Sequence, residues 1–161
     1  LASTIKMLRV FQPPAEILRR YQPGLAPAEE LLRQIAGSDD RQATSDVLRY
    51  VALKYADAAD NDSRDTIAEQ HFSTAYQYAS QTYDDGFVIS ILERRIARNP
   101  LVIDAQFLLA EHLVRIGATE RIDEVLNQCT KLSPGDDRIA QLRVRAGKIA
   151  LRSRLERPLE R

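Results

Sequence analysis

Few side chains in this chain could attack a bond, hold a metal or carry a proton near neutral pH. There are two histidines, His71 and His112, and one cysteine, Cys129. A tetrahedral zinc site needs four ligands, so these three would have to recruit carboxylates, and no two of them stand at a short ligand spacing. Glu111-His112 looks like the opening of a metalloprotease helix, but the position four residues after His112, where the second histidine belongs, is Ile116. An exposed or partly buried histidine is the simpler account. Cys129 as a nucleophile would need a base beside it. Its place on the apolar side of a helical pattern, with Leu126 and Leu132, points to an inert core thiol instead. The six glycines, at 24, 37, 86, 117, 135 and 147, are isolated, so no phosphate-cradling loop is present. The sequence thus offers no catalytic centre, metal or cofactor. The remaining route to an enzyme is an acid-base pocket assembled from scattered carboxylates.

The clearest charge asymmetry lies at the C-terminal end. From Arg138 to Arg161 there are eight basic residues against Glu156 and Glu160, and Arg138, Arg145, Lys148 and Arg152 fall on polar faces of a helical pattern. Such a face could meet phosphates or an acidic membrane surface. Two observations weigh against that. Arginine outnumbers lysine 19 to 4 over the whole chain, and no aromatic residues interleave the basic ones as base stacking requires. The balance of 23 basic and 23 acidic residues also removes the broad field of a dedicated nucleic-acid binder. A solvated helix end running into a basic tail over 154–161 is the simpler reading, and it disfavours nucleic acid as the partner.

The elements that would position these residues follow from patterning. A chain of 161 residues, 44% hydrophobic and 29% charged, suits one folded domain. Its longest apolar run, Gly86 to Leu92, is far below the roughly 20 residues of a membrane-spanning helix. Residues 1–26 are broken by Pro13-Pro14, Pro23-Gly24 and Pro27, leaving a short helix over Ala15 to Tyr21. A helix is predicted from Pro27, with Ala28-Glu29-Glu30 as first turn and Gly37 as stop. Another follows from an N-cap at Thr44-Ser45-Asp46 to about Ala59. Ile67, Phe72, Ala75, Tyr76 and Ala79 mark the next, ending before Asp84. Helices over Phe87 to Arg98, Ile103 to Ile116, Glu120 to Leu132 and about Arg138 to Ser153 complete the chain. No stretch alternates with period two, so the fold class is all-α.

Asn99-Pro100 and Ser133-Pro134 each close a helix, and the two prolines stand 34 residues apart. Within the second of these segments Gln106, Leu109-Ala110, Leu113, Ile122, Leu126 and Pro134 fall at the spacings of a large residue, Leu-Gly, an aromatic, two further core positions and a closing proline. Cys129 stands where a small residue belongs and Gly117 at the turn. This segment resembles the tetratricopeptide repeat, a 34-residue helix-turn-helix unit. One period upstream Phe72, Ala75, Tyr76, Ala79, Val88, Leu92 and Pro100 correspond. Tyr76 is bulky where the family has a small residue, and Ala79 is small where it has an aromatic. Thr66 replaces the proline that would close an earlier repeat, so the resemblance covers roughly residues 65–150.

The resemblance implies antiparallel helix pairs stacked as a short right-handed superhelix, preceded by an irregular helical N-terminal segment. The repeat domain would span 27–153, with repeats near 69–102 and 103–136 and a capping helix over 138–153. In this family the first helix of each pair lines a groove. That makes Gln70, Ser73, Gln77, Asp104, Phe107, Glu111 and Arg115 candidates for contact with a peptide, the alternative being that they are solvated helix positions. The expected function is therefore a protein-protein interaction scaffold or adaptor, with a regulatory or nucleic-acid-binding module using the arginine-rich C-terminal helix as the second reading. Solenoid ends also leave apolar surface through which copies could associate. A single cysteine allows no intrachain disulfide and so leaves the compartment open. Opening at Leu1, the chain reads as part of a longer product. The cytoplasm is slightly favoured over the periplasm, which would need a signal or anchor upstream.

Overall fold

The structure is a computed structural model that describes residues 12–155, with only the backbone of 153–155. Those residues form eight α-helices and no strand, so the chain is all-α as its patterning predicts. The expected N-terminal segment before residue 12 and the basic tail after 155 lie outside the described residues. The chain divides into two compact units, Leu1–Phe87 and Val88–Arg161.

In the first unit, α1 (Pro14–Tyr21) begins on a proline, whose missing N–H is no loss in a first turn. It buries Ile17 and Leu18 and ends on Gln22 at φ 40°, where the backbone N–H of Gln22 donates to Leu18 O. The second helix, α2 (Leu25–Ile35), starts two residues before Pro27, earlier than the sequence suggests. Proline is tolerated there because the N–H groups of a first turn have no carbonyl to meet. Helix α3 (Arg41–Asn61) also starts early. Its N-cap is Asp40, whose carboxylate accepts from Ala43 N at 2.9 Å, and not the predicted Thr44-Ser45-Asp46. Thr44 is already helical and donates its hydroxyl to Asp40 O. Helix α4 (Asp65–Ser80) returns along α3 after a short turn. Ala52, Ala56 and Ala59 on α3 and Ala68, Ala75 and Ala79 on α4 are all buried, and side chains this small permit close helix approach.

Helix α3 is the axis of this unit, contacting α1, α2 and α4. Its core gathers Ile17, Leu31, Ile35, Val47 and Val51, with Tyr50, Tyr55 and Tyr78 packed against them. Tyr83, 96% exposed and at φ 54°, leads into α5 (Asp85–Arg98), which Asp84 caps by accepting from Phe87 N. Arg49 pairs with Asp84 and covers the Phe87 ring at 5.0 Å.

In the second unit, α6 (Ile103–Ile116) has the predicted bounds and ends on Gly117 at φ 73°. That left-handed cap sends α7 (Thr119–Leu132) back antiparallel. A four-residue turn then leads into α8 (Asp137–Leu155). Each of α6, α7 and α8 contacts the other two. Leu113, Ile122, Leu126 and Cys129 form their fully buried centre, with Ile139, Leu142 and Ala146 contributed by α8.

The division between units falls at Phe87, inside the expected repeat near 69–102. One helix of that repeat, α4, groups with the first unit, and all but the first residues of the other, α5, with the second.

Candidate partner-binding surface

Two of the three reactive side chains are withdrawn from solvent. Cys129 is fully buried, and burial pushes its thiol up to about 11. His112 is also buried, with Arg115 Nη1 3.5 Å from its Nδ1. His71 is half-buried, its ring tilted against Tyr55 at 5.8 Å between centroids. Among the described residues no three His, Cys, Asp or Glu side chains cluster as a metal site would require.

One polar cluster escaped the sequence reading. Glu29 on α2 accepts from the hydroxyls of Tyr55 on α3, at 2.7 Å, and Tyr78 on α4, at 3.2 Å. The two rings stack at 5.8 Å. Burial, reinforced by the Glu29 carboxylate, raises Tyr55 to about 12, and the same causes raise Tyr78. Both phenols therefore stay protonated near neutral pH and act as donors to Glu29. They tie three helices together. No spacing rule links either tyrosine to Glu29, which is 26 residues before Tyr55.

The candidate groove positions divide between the two units. Gln70, Ser73 and Gln77 are exposed on one face of α4. Asp104, Glu111 and Arg115 are exposed on α6, while Phe107 is only 3% exposed. Phe107 is a covered core residue and not a free groove contact, because the Arg138 guanidinium lies 3.9 Å above its ring centre. Such a cation over a ring face is attracted by the ring quadrupole.

Arg138 also marks the register of the second unit. It bonds Asp104 Oδ1 at 3.4 Å, 34 residues earlier, and is anchored by Asp136, which accepts from its backbone N–H and guanidinium. Hydrogen bonds from Arg138 hold the Asp136 carboxyl below the usual range. At the other end of α6, a Cβ placed on Gly117 would sit 3.7 Å from Ile149 Cγ2 on α8. Contacts at 104–138 and 117–149 mean that α6 and α8 run parallel, displaced by about one 34-residue period. No family model, curated protein or solved structure gives a significant match to the chain. The arrangement of α6, α7 and α8 is nonetheless compatible with a helical-repeat fold.

On the surface so formed, α6 presents Glu111 and Arg115 and α8 presents Arg145, Lys148 and Arg152, all exposed. Glu111, Arg145 and Lys148 make no ion pair among the described residues. Arg138, one of the expected basic-face residues, is instead committed to Asp104 and Asp136.

A second feature was not foreseen. A cleft of about 440 Å³ opens between the end of α5, the Pro100-Leu101 loop, α6 and α7. The available signal was Gln106, a modest polar residue at the position where the repeat pattern has a large one.

Proposed function

We propose that this chain is a helical-repeat interaction module that binds a polypeptide along the face formed by α6 and α8. The reading is supported chiefly by the register in which α6 and α8 lie, reported by the Asp104–Arg138 and Gly117–Ile149 contacts. Two parallel helices lie one period apart, so exposed charges of opposite sign, Glu111 on α6 and Arg145 and Lys148 on α8, form adjacent rows. Exposed side chains of both signs on two adjoining helices suit a partner whose own charges alternate, and they give specificity more than raw affinity. The finer reading, tetratricopeptide-like helix pairing, belongs to the same proposal, with Gln70, Ser73 and Gln77 as candidate contacts on the first unit by itself. So does a role as scaffold or adaptor rather than enzyme.

Selection of peptides from a displayed library against the chain, followed by fluorescence anisotropy of the enriched sequences, tests this. Glu111→Ala, Arg145→Ala and Lys148→Ala together should weaken binding at least tenfold while the helical circular dichroism is retained. Enriched peptides that bind the triple variant as tightly as the parent would remove the α6–α8 face from consideration. The exposed basic residues Arg143, Arg145, Lys148 and Arg152 on α8 keep one other reading in view, phosphate binding. A labelled oligonucleotide that binds and is released steeply between 50 and 200 mM salt would favour it.

A further inference from the structure

We propose that the cleft between α5, α6 and α7 is a second recognition site, taking an extended peptide that inserts one aliphatic side chain beside a lysine or arginine. At about 100° per residue, Gln106 and Leu109 lie roughly 200° and 140° around α6 from Asp104. The cleft is therefore on the far side of that helix from the α6–α8 face, and either site can fail alone.

Three observations define the occupant. One side of the wall is apolar, with Ile96, Leu109, Val125 and Leu132 bordering part of a volume of about 440 Å³, within the range of small-ligand pockets, while Gln106, Arg121, Glu124 and Gln128 make the rest polar. That apolar side suits a branched aliphatic side chain. Gln106 borders this space at only 5% exposure, and its carboxamide makes no hydrogen bond among the described residues. Neither polar atom of this amide is sealed from solvent, so it faces the cleft with both a donor and an acceptor free. The complementary pair on a ligand is the N–H and C=O of a peptide group, so an extended backbone passing Gln106 would satisfy both. The third observation is charge. Of the two charged side chains at the mouth, Arg121 is already paired with Glu93, whereas Glu124 is exposed with no ion pair among the described residues. The uncompensated charge at the rim is thus negative and matches a cationic neighbour of the inserted side chain. Leu101, 75% exposed beside the opening, adds apolar surface for the rest of the peptide.

The probes are the blocked dipeptides acetyl-leucyl-lysine amide and acetyl-isoleucyl-arginine amide, titrated into nitrogen-15-labelled chain and followed by amide NMR. Saturable shifts are expected at the Gln106 carboxamide and at the backbone amides of Leu101 and Val125. Acetyl-leucyl-glutamate amide should bind at least fivefold more weakly, and Glu124→Gln should abolish that discrimination. Gln106→Leu should weaken binding at least fivefold and yet leave the melting temperature nearly unchanged, since a solvent-reached amide is replaced by an apolar group of similar size. A merely structural glutamine would not separate the two effects in this direction. Shifts absent for both cationic probes, or scattered over the surface, or unchanged in Gln106→Leu, would each overturn the proposal.

Discussion

In the first unit one 21-residue helix, α3, serves α1, α2 and α4 alike, whereas in the second α6, α7 and α8 each contact both of the others. The first arrangement has a single axis with unequal helices around it, of 8, 11 and 16 residues. It is held by a directional polar tie, the Glu29 carboxylate between two phenols. The second arrangement sets like beside like, α6 and α8 parallel at a 34-residue displacement, around aliphatic side chains and a buried thiol. Such a step can in principle be continued by a further helix, whereas an axis already covered by three partners has no equivalent next position. Periodicity in sequence thus corresponds to periodic packing only where successive helices present equivalent faces.

The composition provides a separate probe for each unit. All six tyrosines lie in the first and the sole cysteine in the second. The largest effects should come from core truncation. Phe72→Ala, emptying a fully buried site on α4, should cost about 3–5 kcal/mol and shift the urea transition seen by tyrosine fluorescence. Leu126→Ala should cost about 2–5 kcal/mol and chiefly accelerate alkylation of Cys129. If either substitution moves both probes equally, the contrast between two separately packed units breaks down.

Alkaline titration should sharpen the same contrast. Tyr55 has its folded value raised to about 12 from an unfolded value near 10, so its stabilisation is complete below pH 10 and is lost as pH rises towards 12. Cys129, raised to about 11 from near 9, should weaken the second unit over an earlier window, from pH 9 to 11. Thermal melts across pH 8–12 should show the cysteine probe failing first. Tyr55→Phe should remove its share of the tyrosine contribution, leaving that of Tyr78 in the first unit, and leave the second unit unchanged.

The smallest effects contrast two glycines within the second unit. Gly117→Ala forces an L-residue to φ 73° and should cost about 1–2 kcal/mol. Gly147→Ala, inside α8 with no atom within 4 Å of the added Cβ, should stabilise by up to about 1 kcal/mol. Opposite changes in melting temperature are expected. A change of the same sign for both would mean that the turn at Gly117 does not need its left-handed conformation.

Much of the helix layout was legible because it is local. Apolar spacing gives α6 to the residue, and Gly117 gives its end. Where the reading slipped, at the starts of α2 and α3, the decision lay with Pro27 being harmless in a first turn and with Asp40 capturing Ala43 N. Both are local effects, but they compete with equally plausible signals nearby. The functional surface was less legible. Phe107 reads as a groove residue until Arg138, contributed by another helix, is seen to cover it.

By itself the sequence determined that the chain is all-helical and that Cys129 faces a core, because both follow from which side of a 3.6-residue period is apolar. It also placed Asp104 and Arg138 one 34-residue period apart. Only the tertiary structure decided that this pair is joined, that Glu29 holds two tyrosines, and that Gln106 borders a cleft with its amide unpaired. Each of these depends on side chains far apart in sequence meeting or failing to meet, and such meetings are fixed by helix packing, which no local spacing encodes.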